Sequence, residues 1–280
     1  MSRKPTIALV GAGRVAQALG PALRQAGYRI LEVVGRDRTS SRDRARRLAR
    51  RVGARATTMA DAELHAGLIW LAVSDDAVAA CARALAQRTD WEGKIALHSS
   101  GALPSDQLGP LRRRGAAVAS LHPLMTFARP APELRGASFA VEGDARAVPV
   151  ARRIARDLGG SPLLLRKKDK ALYHAWGMFT SPLLVAVLAL GECVGRKAGV
   201  PDPARAAQAI LRQTFRNYLE AGAAAAFSGP LVRGDVATVR ANLRALRSVP
   251  EARQAYLALA RAALHNLPSR NGRELMKLLK

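Results

Sequence analysis

Lys170 and His174 stand four residues apart in the stretch DKALYHAWGMFTSPLL. On a helix that spacing puts both side chains on one face, where an ammonium and an imidazole can address a single small molecule together. Lysine is then the first candidate proton donor, its pKa lowered by partial burial and nearby positive charge, and histidine the alternative donor or orienting partner. A solvated helix start ahead of an apolar body would show the same letters, so the rest of the chain has to supply a site for the pair.

The clearest element that could position a reactant is near the start. Thr6 to Val10 is an apolar strand, Gly11-Ala12-Gly13 a turn, and an amphipathic helix runs on to about Gly27. This is the dinucleotide-binding pattern with Ala16 in its last place and with the strand and helix that such a pattern requires. Gly11 allows the tight turn, Gly13 lets a pyrophosphate approach the backbone, and Ala16 lets the helix pack closely. The helix start, with Arg14 and Val15, offers free N–H groups and a positive dipole end to the phosphates.

The second strand ends at Val34 and is followed by Gly35, Arg36, Asp37, Arg38, Thr39 and Ser40. An acidic residue just past this strand would bind a ribose 2′-hydroxyl, whereas arginine with hydroxyls would bind a 2′-phosphate. The composition favours NADP(H), with Arg36 as the main ligand and Arg38, Thr39 or Ser40 assisting. Glu32 is a rival by residue counting but lies inside the strand, and Asp37 pulls the other way.

Strands and helices then alternate as far as about residue 165, which implies a mostly parallel sheet wound on both faces, with ligands at the carboxyl ends of the strands. Three ends carry candidates. Val73 and Ser74 border the nicotinamide side, although Ser74 and Asp75 also suit an N-cap. Ser99 and Ser100, in HSSG, offer hydroxyls for a carboxylate or carbonyl, and Ser99 for the cofactor as well. His122 precedes Pro123 at the end of AAVASL.

Beyond that point the pattern is helical. The expectation is an α/β N-terminal dinucleotide-binding domain over residues 1–165 and an all-α domain for substrate and dimerisation over 166–280. The apolar run Ala171 to Gly191 is interrupted by His174, Ser181 and Pro182 and is expected as a central helix of a soluble bundle, not a membrane span. The opening MSRKPTIALVGAG reaches glycine too soon for a signal peptide. Cys81 and Cys193 show no metal or redox spacing and are expected as buried thiols in a reducing cytoplasm, with no metal site.

The net charge of +24 raises the question of nucleic acid. It is shared equally between residues 1–160 and 161–280, +12 each, and aromatic content of 4% leaves few stacking platforms. Attraction of an anionic cofactor and substrate accounts for the charge more simply. In the loop SGPLVRGD, Arg233 and Asp235 can form an ion pair or bind an anionic substrate, or the loop can serve as a hinge.

The segments GAGRVA, LHSSGA, SLHPLMTF, ALYHAW and SGPLVRGD, in this order, resemble Rossmann-like NADP oxidoreductases with a C-terminal helical domain of unassigned function. These are relatives of ketopantoate reductase, pyrroline-5-carboxylate reductase and 6-phosphogluconate dehydrogenase. The resemblance implies NADPH-dependent reduction of a small, carboxylate-bearing keto acid or imine, ketopantoate among the candidates. It also implies a Lys-x-x-x-Asn-like role for Lys170 and His174 and a homodimer. The chain departs from the family at TSP, around Pro182, and at Asn242. The rival expectations are a catalytically silent protein that senses NADP and, third, a nucleic-acid binder.

Overall fold

The computed structural model describes residues 3–128 and 133–280. The chain divides into two compact units, Met1–Met178 and Phe179–Lys280. The first therefore runs past the boundary expected at residue 165, because Lys170 and Tyr173 at the start of the next helix are buried.

The first unit is built on one sheet. Its strands are β1 (Ile7–Val10), β2 (Ile30–Gly35), β3 (Arg55–Thr58), β4 (Leu68–Leu71), β5 (Ile95–His98), β6 (Ala117–Pro123), β7 (Ser138–Gly143) and β8 (Ser161–Leu164), in the order 3-2-1-4-5-6-7-8. All neighbours pair parallel except β6 with β7. The strand order reverses direction at β1, which opens a crevice between β1 and β4. β3 and β8 are absent from the sequence reading; both are four-residue edge strands, the first polar and the second carrying a proline, so neither shows a buried-strand pattern.

Helices cover both faces: α1 (Arg14–Gln25), α2 (Thr39–Val52), α3 (Asp75–Leu85), one-turn α4 (Gly109–Arg112), α5 (Val148–Asp157) and α6 (Lys170–Thr180). Alternation along β1 sends Ile7 and Leu9 into one core with Leu19, Leu23, Leu48 and Ile154. Ala8 and Val10 face the other core with Val78, Leu85 and Leu111. Each fully buried aliphatic side chain contributes ~1.5–3 kcal/mol, and this two-sided burial fixes the strand ends that carry the site.

The second unit holds α7 (Pro182–Lys197), α8 (Pro203–Ala206), α9 (Gln208–Ala226), α10 (Pro230–Arg233), α11 (Val236–Ala245), α12 (Pro250–Asn266) and α13 (Gly272–Leu278). Its core is small: Val239, Leu243, Ala260, Leu275 and Leu279. No residue of α7 or α9 is buried, so the apolar run is not the covered central helix that its composition suggests. Cys193, carried on α7, is exposed for the same reason, and Cys81 is half-buried. The run also breaks at Ser181, whose backbone leaves the helical region (φ −137°, ψ −83°) ahead of Pro182. Segment Lys167–Lys197 contains a window long and apolar enough to cross a membrane by length and composition, and none of that window is buried.

Candidate active site

The end of β1 forms the floor of a groove. Gly11 has φ +105°, and a Cβ there would lie 2.5 Å from the Ala72 carbonyl oxygen, so only glycine fits the turn. Gly13 caps α1 without any side-chain hydrogen bond, and the first turn carries no acidic residue, which leaves its N–H groups free for an anion. Gly11, Gly13, Arg36, Val73 and Ser74 line one cavity of about 430 Å³. Ser74 sits at the N-cap of α3 but makes no side-chain capping bond, so its hydroxyl is available to the groove.

Two residues that the sequence reading omits join this groove. Ser41 and Arg44 line it from α2 beside Arg36, three residues apart on one helix face. The Ser41 hydroxyl accepts from the Arg36 backbone N–H (3.0 Å), and Gln17 Nε2 of α1 donates to the Arg44 carbonyl (3.2 Å), fixing both positions. Arg38 and Thr39 are exposed at the start of α2, and neither lines the cavity; nor do Arg14 and Val15. Asp37 is paired with Arg42. Glu32 is committed elsewhere: it is 4% exposed, accepts from the Leu64 backbone (3.2 Å) and pairs with Arg55 (3.1 Å).

Farther along the same sheet edge is a row of buried polar residues. His98 of β5, Ser120 of β6 and Glu142 of β7 are register partners across three adjacent strands, so their side chains share one face. Lys170 closes over this row at 1% exposure. Its ammonium donates to the Ser100 carbonyl (2.9 Å) and to the Ser120 hydroxyl, with Glu142 Oε1 at 3.9 Å. Lys170 is thus turned into the sheet and does not share a solvent-facing surface with His174, which is only partly buried. Burial lowers its pKa to about 8, against the attraction of Glu142 and Asp75.

The turn after β5 is held by its own side chains. His98 Nε2 lies 3.2 Å from the Pro104 carbonyl, and Nδ1 accepts from the Ser100 N–H (3.1 Å), which selects the neutral tautomer with hydrogen on Nε2. Burial and the Lys170 charge push its pKa down to about 3. The Ser100 hydroxyl accepts from the backbone of Ala102 (3.2 Å) and Leu103 (2.9 Å), a turn-forming use of its lone pairs. Ser99 is half-buried and accepts from Trp70 Nε1 (2.8 Å), leaving its own hydroxyl proton to donate.

His122 and His174 meet over Gly101. A Cβ on that glycine would stand 2.8 Å from His122 Nε2 and 3.0 Å from His174 Cδ2. His122 Nδ1 is 2.8 Å from the Tyr173 hydroxyl, a partner that sequence reasoning missed although it neighbours His174. Burial raises the Tyr173 pKa to about 12, so the phenol keeps its proton and donates it to Nδ1. Burial, then the charges of Lys170 and His174, lowers the His122 pKa to about 4. The result is a neutral imidazole with its N–H on Nε2, directed at Gly101.

Arg233 and Asp235 belong to the second unit. Gly234 ends α10 in the left-handed region at φ +72°, and both Asp235 carboxylate oxygens serve Thr238, through its N–H (3.0 Å) and hydroxyl (2.7 Å). Asp235 is therefore a helix cap instead of a free substrate ligand, while Arg233 is exposed. Asn242 lines an apolar cavity of about 400 Å³ in this unit with Val187, Leu190 and Tyr256. Among the described residues no cluster of His, Cys, Asp and Glu could hold a metal ion.

A Rossmann-like domain model matches residues 2–123, and the model of a domain of unknown function (DUF2520) matches residues 137–263. The chain joins a Rossmann-like domain to a DUF2520 domain. No curated protein matches it. Among solved structures, a Bacteroides fragilis protein assigned as an NADP oxidoreductase is 24% identical with a TM-score of 0.75, over 92% of this chain and 97% of that one. Protein TM1727 from Thermotoga maritima is 23% identical with a TM-score of 0.75, over 92% and 96%. A reductive aminase from Aspergillus terreus, in complex with NADPH and ethyl-5-oxohexanoate, is 16% identical with a TM-score of 0.64, over 99% and 100%. At these identities the likeness establishes a shared fold, a Rossmann-like domain followed by helices.

Proposed function

We propose that this protein is an NADPH-dependent oxidoreductase that reduces a small carbonyl or imine compound. The observation that carries the reading is the continuity of one sheet edge. Arg36, the Gly11 turn, Ser74 and Ser99 follow β2, β1, β4 and β5, and His122 lies in the last two residues of β6; these strands are consecutive in the sheet. With strands ~4.8 Å apart, three spacings from β2 to β5 cover about 14 Å, the span of an extended dinucleotide whose reactive ring would reach Ser99 and Gly101.

The residues present fit NADP(H). The Gly11 and Gly13 turn would receive the pyrophosphate, and Arg36, Ser41 and Arg44 the 2′-phosphate. The NADPH complexed with the reductive aminase and the NADP assignment of the Bacteroides protein support the choice. When bound, the cofactor supplies hydride from its nicotinamide to the carbonyl or imine carbon. Negative charge then gathers on the oxygen or nitrogen, and the chain must stabilise it and return a proton.

His122, neutral and fixed by Tyr173, directs an Nε2–H at the place where that atom would sit. Lys170 adds a positive charge from behind the Ser100 carbonyl. His174, partly exposed beside Gly101, is placed to touch substrate and deliver the proton, so the donor role falls to it and not to buried Lys170. Ser99 positions the reacting group. Ketopantoate and cyclic imines are the first substrates to test. Consumption of NADPH with one of them, lost in His174→Ala while NADPH binding persists, would bear the proposal out; consumption unaffected by that variant would remove His174 from the mechanism.

The working form is a homodimer in this proposal. Helix α7 exposes Leu183 and Val185, and helix α9 exposes Ile210, Phe215 and Leu219, large apolar side chains that a second copy would cover. Light scattering at twice the chain mass is expected; a monomer would refute it.

A further inference from the structure

Resting on that reading, we propose that Glu142 is a positioning residue of the reaction: from the neighbouring antiparallel strand it holds the Lys170 ammonium charged and in place beneath the Ser100 turn. Glu142 lies in β7, next to no cofactor-binding element, and nothing in its local sequence marks it. Its position follows from the one antiparallel pairing in the sheet, which sets Glu142 directly opposite Ser120. Opposed residues on an antiparallel pair present their side chains on the same face, so the carboxylate and the hydroxyl stand side by side under Lys170.

The geometry gives the carboxylate two tasks. Oε1 accepts from the Ser105 N–H (2.7 Å) and Oε2 from the Ser105 hydroxyl (2.8 Å), which ties down the far end of the turn that carries Ser99, Ser100 and Gly101. Oε1 also faces the Lys170 ammonium at 3.9 Å, at 4% exposure for Glu142 and 1% for Lys170. Lysine has three donors; two go to the Ser100 carbonyl and the Ser120 hydroxyl, neither of which carries charge. Glu142 is the buried counter-ion, and it couples the charge behind the turn to the turn itself.

The other groups that face Lys170 do not replace it. His98 from β5 and His122 from β6 are held neutral by burial and by Lys170 itself. Asp75, at the start of α3, is exposed and contributes less than Glu142, and His174, on α6 with Lys170, faces His122. Loss of the Glu142 charge would therefore leave burial to discharge the lysine, since a single opposite charge at this range moves a pKa by ~1–3 units.

The test is Glu142→Gln, which removes the charge, keeps one acceptor oxygen for the Ser105 N–H and leaves the amide NH2 to donate to the Ser105 hydroxyl oxygen with that bond reversed. Two readouts are needed: the pH profile of NADPH oxidation, and the pH at which unfolding free energy begins to rise relative to Lys170→Met, which needs no turnover. In the native protein both are expected near pH 8, the pKa of Lys170. In Glu142→Gln both are expected to move down by at least about one unit. If both stay in place in an active protein, Glu142 only shapes the turn and the proposal is overturned. A stability onset that moves in a protein with no turnover supports the coupling of Glu142 to Lys170 and rejects the reductase reading instead. Should Glu142→Gln not fold, Glu142→Asp, which draws the charge back by one methylene, is expected to move both readouts in the same direction by less; no movement overturns the proposal.

Discussion

Arg36→Ala gives the sharpest check on the cofactor. Arg36 and Arg44 line the groove next to Ser41, and among the described residues neither guanidinium is engaged in an ion pair. Neighbouring Arg42 is bound to Asp37, so it does not substitute. A charge-assisted hydrogen bond contributes ~1.5–3 kcal/mol, so loss of one arginine should weaken NADPH binding by about 10- to 150-fold. NADH, which lacks the 2′-phosphate, should bind the variant as it binds the native protein. Arg44→Ala should show the same selective loss, and the double variant should no longer distinguish the two cofactors. The assay is a fluorescence titration with NADPH and NADH at two salt concentrations, because phosphate contacts weaken with ionic strength. An equal loss for both cofactors would mean that the arginines hold the groove together, and no loss for either would remove the 2′-phosphate site.

Three further outcomes follow from the geometry. Gly101→Ala should displace the His122 and His174 rings, whose atoms lie 2.8 and 3.0 Å from the added methyl, and so reduce turnover far more than it weakens NADPH binding; steady-state kinetics beside a binding titration checks it. Lys170 loses its proton near pH 8 when folded and at 10.5 when unfolded, so between these values the unfolded chain binds the extra proton and rising pH favours the fold. The unfolding free energy of the native protein relative to Lys170→Met should accordingly increase by up to ~3 kcal/mol over that range, and a flat difference would refute the assignment. Cys81 lines the cofactor groove, and burial pushes its pKa up to about 11, so it should alkylate slowly and be protected by NADPH, whereas exposed Cys193 should react at the same rate with and without cofactor, as peptide mass spectrometry would show.

The parts of this protein written in local pattern were readable from residues alone. The Gly11 turn between a buried strand and an amphipathic helix, the arginine at the end of β2 and the reading of Glu32 as interior all depend on neighbours within a few positions. Arg44 was within reach too, since a helix beginning at Thr39 puts it one turn beyond Ser41 on the same face. Glu142, Ser120 and His98 were not, because the row they form exists only through the registers of β5, β6 and β7. For Lys170 a period of four sets a direction relative to His174, while burial against the sheet, invisible to spacing, turns the lysine inward and leaves His174 partly exposed. The apolar content of α7 suggests an interior helix, yet none of its residues is buried, because composition records how apolar a surface is and not what packs against it.

The most direct test of the central claim is NADPH oxidation, followed by absorbance, with the purified protein and a panel of keto acids and cyclic imines beginning with ketopantoate. The account predicts consumption of NADPH with at least one of them, much weaker consumption of NADH, and loss of turnover in His174→Ala with cofactor binding intact. Tight NADPH binding with no oxidation across the panel would contradict it and leave a protein that binds the dinucleotide without using it.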